Sequence, residues 1–187
     1  MSMYLNIAPC GWGKCTFCAY NNMTQYTKPS WEELAEGLLK EVTKVQDGKQ
    51  RYVKVFNGGN FFGVEMPKDV RDFILGFLEN KGCKHLRVEN RVDQIPDPLY
   101  VEKLIKDGWD LTVSWGVETL DGKIRDIINK GITEDQILAT LSWATKIGVK
   151  NLVYLMAGLP GCENGHVADI RNTLDGLVKW EASGQCH

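Results

Sequence analysis

Short apolar runs and longer amphipathic stretches alternate along this chain. The runs "YLNIA" (4–8), "YVKVF" (52–56), "HLRVE" (85–89), "LTVSWGV" (111–117) and "NLVYLMAGL" (151–159) are rich in β-branched and aromatic residues, and turn formers bound each one. Each reads as a strand. Between them the period becomes helical. Val70, Phe73, Ile74, Phe77 and Leu78 fall at i, i+3, i+4, i+7 and i+8. Leu34, Leu38, Val42 and Val45 mark another apolar face, and Ile137, Leu138, Leu141 and Ile147 a third. "SWEE" (30–33) and "TEDQ" (133–136) have the form of capping boxes, in which a hydroxyl and an acid or amide exchange bonds with first-turn amides. Gly82, Gly108 and Gly148 stand just past helical patterns, where a left-handed C-terminal cap suits glycine.

Five strand–helix alternations require crossover helices and hence a parallel sheet. A closed eight-fold barrel takes about 250 residues. The 187 residues here therefore predict an α/β fold, an open, partial parallel (β/α) barrel of five to six βα units forming one domain over residues 1–187. Ligands of such folds collect at the carboxyl ends of the strands. At those ends stand a three-cysteine loop, "NGGN" (57–60), the stretch Glu89 to Asp93, Glu118, and "GLPG" (158–161).

Composition adds limits. The chain is 43% hydrophobic and 25% charged, as globular domains are, and carries a net charge of -2, so no global positive field draws in nucleic acid. No run approaches the roughly 20 apolar residues of a membrane helix, and "MSMYLNIAPC" lacks the pattern of a signal peptide; a cytoplasmic protein without a membrane partner is expected. Three of the six cysteines cluster near one end, and disulfide scaffolds are usually much smaller, so reduced thiols are expected.

The cluster lies in "APCGWGKCTFCAY" (8–20) and comprises Cys10, Cys15 and Cys18. Three thiolates can hold three irons of a cubane and leave the fourth open to a small molecule, whereas a closed structural site uses four protein ligands. An open iron can chelate the amino and carboxylate groups of S-adenosylmethionine and pass it one electron. A different reading completes a structural zinc site from Cys186 and His187. A cluster-carrying subunit without turnover of its own is another alternative. Cys83, Cys162 and Cys186 lack ligand spacing and read as packing residues. Gly58 and Gly59 would let backbone approach a ligand closely. Glu89 and Glu118 end neighbouring strands as acceptors, and Lys130 could pair with a carboxylate. Glu89 could instead form an ion pair with Arg87 or Arg91, and Lys130 could serve a helix dipole.

The cysteine loop resembles that of the radical S-adenosylmethionine superfamily, C-x3-C-x-aromatic-C, with Phe17 at the aromatic position and a first gap one residue longer. "NGGN" resembles the family's "GGE", which holds the methionine amino group, with Asn60 in place of the acid. "RVENRVDQI" (87–95) is similar to "VE-x-RPD-x-I" of the branch containing the Elongator catalytic subunit. "WGVETLDGKIRDIINKGIT" (115–133) is similar to "IGLET-x-DD-x-IR-x-x-x-NKGFT" of its archaeal transfer-RNA-modifying members. "YLMAGLPG" (154–161) resembles "D-L-x-x-GLPG" of anaerobic coproporphyrinogen oxidases, with Tyr154 where the acid stands.

This resemblance covers residues 4 to about 180. It implies a [4Fe-4S] cluster on Cys10, Cys15 and Cys18, and S-adenosylmethionine held by Phe17, Gly58, Gly59, Asn60, Glu89, Glu118 and Lys130. It further implies an adenosyl radical that abstracts hydrogen from a substrate, and an electron donor such as a flavodoxin or ferredoxin. The archaeosine-forming members suggest a modified base of transfer RNA as that substrate. Family domains add a sixth strand and often an RNA-binding or substrate-binding domain. The resemblance therefore leaves a fragment, a minimal form or one half of a complex as the expectation, with a partner protein or domain presenting the substrate.

Overall fold

The computed structural model describes residues 1–5, 8–19, 30–46, 52–95, 97–162 and 165–183. Five strands, β1 (Ser2–Tyr4), β2 (Val53–Phe56), β3 (His85–Asn90), β4 (Asp110–Glu118) and β5 (Lys150–Leu155), form one sheet. All are parallel and lie in chain order. The helices are α1 (Trp31–Val42), α2 (Lys68–Asn80), α3 (Pro98–Lys106), α4 (Gly122–Ile127), α5 (Glu134–Ile147) and α6 (His166–Ala182). An order that never reverses makes an arc of barrel wall, unlike a doubly wound sheet, whose order reverses at a switch point. The fold is thus the expected open, partial barrel.

Strand alternation divides the sheet into two chemically different faces. Met3, Val53, Val55, Leu86, Val88, Leu111, Val113 and Trp115 are fully or almost fully buried, in one core with Leu34, Leu38, Ile74, Leu78, Val101, Ile137 and Leu141 of the helices. Burying each such side chain contributes about 1.5–3 kcal/mol, so this helix-covered face holds the arc together. The opposite, concave face carries Tyr4, Lys54, Phe56, Arg87, Glu89, Ser114 and Tyr154, which pair across the strands in register, as Tyr4 with Phe56 and Glu89 with Ser114.

Local signals act as anticipated. Ser30 and Thr133 each accept a bond from the amide three residues on, and Glu33 and Gln136 accept in return from the cap amides. Gly82, Gly108 and Gly148 adopt φ of 73°, 85° and 93° behind α2, α3 and α5. β2, β3 and β4 match the sequence reading to within one residue at each end, while β1, β5 and the fourth unit differ from it. β1 starts earlier, because Met1 O already accepts from Lys54 N, while Asn6 and Ile7 lie outside the described residues. β5 stops at Leu155, and the apolar run continues because Leu159 packs in a satellite cluster with Ile124 and Ile128. The fourth unit also gains α4, six residues capped by Asp121 and too short to show a helical period. Phe73, read as part of the buried face of α2, is half exposed and stacks on Phe77 at 6.4 Å. Among the described residues no helix is long and apolar enough to cross a membrane.

Candidate functional site

At the carboxyl ends of the strands a cavity of about 420 Å³ opens, and every residue nominated for the cluster or the cofactor lines it: Cys10, Cys15, Phe17, Cys18, Gly58, Gly59, Asn60, Glu89, Glu118 and Lys130, whereas Asp93 and "GLPG" (158–161) do not. Tyr4, Gly13, Phe56, Asn90, Arg91, Ser114, Gly116 and Tyr154 complete the wall. The convergence follows from topology, since consecutive parallel strands bring their exit loops to one rim.

The cysteine loop is fastened on both flanks. On one, Trp12 Nε1 donates to Asn129 O at 2.8 Å and Thr16 N to Ile128 O at 3.0 Å. Phe17 packs beside Ile124 and Ile128. Gly131, at φ 66°, leaves room for the indole: a β-carbon there would stand 2.1 Å from Trp12. On the other flank, Gly11 N reaches Glu65 Oε1 at 3.4 Å. Arg91, 6% exposed, lies behind the loop, with Nη1 3.8 Å from Cys15 Sγ and its fork on Asp93. Burial pushes the Cys15 thiol above its ordinary range, against the downward pull of Lys130 and Arg91. Thiolate ligands need nearby positive charge, and these two cations supply it.

Beyond Phe56 the chain turns through Gly58, at φ 69°, and Gly59. Asn60 is a buried hub. Its Oδ1 accepts from Arg91 N at 2.6 Å, and its Nδ2 lies 3.7 Å from Cys10 Sγ. Both its backbone N and its Nδ2 donate to Glu65 Oε1, at 2.8 and 2.6 Å. Glu65, five residues on, thus holds the turn that carries Asn60. Arg71 holds the loop carrying Glu65 by donating to the carbonyls of Phe61, Gly63 and Met66. Glu65 escaped the sequence reading. A lone acid inside the apolar "FFGVEMP" (61–67) was the available signal.

Glu118 and Lys130 form a buried ion pair at 2.9 Å, each less than 10% exposed. A β-carbon on Gly116 would stand 3.2 Å from Lys130 Nζ and 3.3 Å from Glu118 Oε1, so glycine lets the pair close over β4. Glu118 sits at a bulge in the β4–β5 register with φ 70°, a conformation that costs a non-glycine residue about 1–3 kcal/mol. Lys130 Nζ also lies 5.7 Å from the Phe17 ring centroid.

Four residues deeper than Glu118, level with Ser114, Glu89 pairs directly with neither arginine. Tyr154 OH donates to Glu89 Oε1 at 2.9 Å and accepts from Arg87 Nη2 at 2.8 Å, while Arg87 Nε donates to Ser114 Oγ. Burial raises the Glu89 carboxyl above its ordinary value, partly offset by Tyr154 and Arg87.

Cys186 and His187, the zinc alternative's remaining ligands, lie outside the described residues. Among the described residues no three His, Cys, Asp or Glu side chains gather closely enough to hold a metal ion. Cys83 is buried in the core and Cys162 half-buried beside Leu159, as packing residues are. Three thiols on one wall, two buried cations and a glycine turn packed beside Cys10 are a donor set that fits an iron–sulfur cluster with one open iron.

Comparison with known proteins agrees with this geometry. The family model described as the Radical SAM superfamily matches residues 5–174. Archaeosine synthase subunit beta of Methanosarcina acetivorans is 32% identical over 163 residues, which cover 83% of this chain and 47% of that protein. An uncharacterized protein of Methanocaldococcus jannaschii is 30% identical over 77% of this chain and 41% of its own. The chain therefore spans about half the length of the curated relatives it matches. Among solved structures, a queuine lyase from Clostridium spiroforme bound to SAM and queuine superposes with TM-score 0.55 at 21% identity, covering 91% of this chain and 81% of that one. Coproporphyrinogen III oxidase of Escherichia coli, a radical SAM enzyme, gives 0.60 at 17% identity, covering 96% and 41%. The chain belongs to the radical S-adenosylmethionine superfamily and is an enzyme of that class, whose cofactors are a [4Fe-4S] cluster and S-adenosylmethionine.

Proposed function

We propose that this radical SAM enzyme binds the cluster and S-adenosylmethionine at the rim cavity and uses the adenosyl radical they supply to abstract hydrogen from a modified base of transfer RNA. The carrying observation is the convergence of Cys10, Cys15 and Cys18 with Gly58, Gly59, Glu118 and Lys130 on one cavity. The three cysteines hold the cluster. Gly58 and Gly59 present bare backbone to the methionyl ammonium, and Asn60 anchors that turn to the cysteine loop. Lys130, held in place by Glu118, meets the methionyl carboxylate, with Phe17 closing that side. The buried arrangement excludes water from the charges it pairs.

The archaeosine synthase relative supports the transfer-RNA reading. The matched relatives are about twice as long, and the name of one denotes a subunit, which supports a further segment or partner protein presenting the RNA. A flavodoxin or ferredoxin would supply the electron.

The test is anaerobic reconstitution followed by electron paramagnetic resonance with and without S-adenosylmethionine, then assay for 5′-deoxyadenosine with transfer RNA bearing the modified base. A cluster signal that shifts on adding the cofactor, with deoxyadenosine formed only when RNA is present, is expected. A zinc-loaded protein, or a cluster indifferent to S-adenosylmethionine, refutes the cofactor assignment; deoxyadenosine that never depends on RNA refutes the substrate.

A further inference from the structure

We propose that Asn60 and Arg91 are positioning residues that set the reduction potential of the cluster, each by aiming an N–H at a cysteine sulfur and so stabilising the electron the cluster accepts. This rests on the cluster assignment proposed above and goes beyond it, since neither side chain is an iron ligand.

The orientation of the Asn60 amide is fixed by neighbours that can each play only one part. Arg91 N, a donor, stands 2.6 Å from Oδ1, and the accepting carboxylate of Glu65 stands 2.6 Å from Nδ2. Nδ2 is therefore the end that faces Cys10 Sγ, at 3.7 Å, and its second hydrogen is left for the sulfur. At 2% exposure the side chain has no solvent-facing alternative. Arg91 is held as firmly. Its Nε and Nη2 fork onto Asp93 at 2.9 and 3.0 Å, Nη2 also donates to Lys130 O at 2.8 Å, and the guanidinium lies 5.1 Å from the Trp12 ring centroid. Nη1 is the nitrogen that remains, 3.8 Å from Cys15 Sγ.

The bond from Arg91 N to Asn60 Oδ1 joins the two, so Cys10 and Cys15 are addressed by one connected network running from Glu65 through Asn60 and Arg91 to Asp93. A cluster gains one negative charge when it takes an electron from its donor, and no bond forms or breaks. N–H donors on the thiolate sulfurs and a buried cation stabilise that product more than the oxidised cluster, and so raise the potential. Asn60 and Arg91, 2% and 6% exposed, act where water screens them little.

A redox titration of the reconstituted protein without S-adenosylmethionine, followed by electron paramagnetic resonance, reads the potential; iron per chain reads assembly. Asn60→Asp combined with Glu65→Gln keeps one carboxylate and one amide in the buried pair but removes the N–H from Cys10. Its cluster should be about tenfold harder to reduce, a fall of about 59 mV for one electron. Arg91→Met, whose unbranched stem can still lie against Trp12, should shift the potential the same way. Lys179→Met removes a cation from an exposed position on α6 and should leave it unchanged. In resonance Raman spectra the iron–cysteine stretches of the parent should move in deuterated buffer, and that movement should shrink in both loop variants. Loop variants with the parent's iron content and the parent's potential overturn the tuning, as does an equal shift in Lys179→Met. Loop variants that bind no iron make Asn60 and Arg91 purely structural and overturn it as well. A parent that assembles no cluster refutes the cofactor assignment and the tuning with it, whereas a parent with a cluster and unmoved potentials in the variants refutes the tuning alone.

Discussion

Replacing Glu65 by alanine should unfasten the cysteine loop from the glycine turn, although Glu65 is neither ligand nor strand residue. Its Oε1 takes the backbone N and Nδ2 of Asn60, itself 2% exposed, and reaches Gly11 N across the loop. Without the carboxylate, two donors of Asn60 are left buried and unpaired, at about 1–3 kcal/mol each. Gly11 N is only partly buried and can turn to water. The sum is roughly 2–6 kcal/mol, which in a domain of this size lowers the melting temperature by roughly 4–24 °C. Glu65→Gln should cost less, about 1–3 kcal/mol, because one oxygen remains for Asn60 while the new amide nitrogen falls where Oε2 has no partner. Urea unfolding of the cluster-free protein measures the stability, and iron bound per chain after reconstitution measures the loop. A Glu65→Ala protein within about 1 kcal/mol of the parent, with full iron content, would refute the fastening.

Other expectations follow from the same contacts. Lys130→Met strands the Glu118 carboxylate in a buried site and should cost about 3–5 kcal/mol in urea unfolding; a neutral result would mean that water reaches the pair. Gly131→Ala must displace Trp12 and place a β-carbon at φ 66°, so it should destabilise by at least about 2 kcal/mol and reduce iron retention. Iron content equal to the parent's would show that the indole does not anchor the loop. Because burial holds the Glu89 carboxyl above the ordinary 4.5, the folded state binds more protons there than the unfolded chain between 4.5 and the raised value. Stability contributed by this group falls as pH rises through that window and is flat above it. Glu89→Gln should remove this fall from the pH dependence of unfolding; an unchanged slope would place the carboxyl in water.

Periodicity made the parallel sheet legible because helix and strand repeats are local, and the capping residues Ser30 and Thr133 act within one helical turn. The short α4 was illegible for the same reason: six residues carry too little period to register. The cluster of Cys10, Cys15 and Cys18 was legible by spacing, and the rim residues by standing just beyond apolar runs. Glu65, Trp12 and Tyr154 were not, because their roles depend on partners 5, 54, 117 and 65 positions away.

By itself, then, the sequence determined which segments become strands, that their exits share a rim, and which thiols stand there, since local propensity and connection length constrain these. Only the tertiary structure decided which acid fastens the Asn60 turn, that Lys130 pairs with Glu118, and that Tyr154 stands between Arg87 and Glu89. Those pairings are set by which side chains compete for one buried volume, and that competition exists only after the helices have covered the sheet.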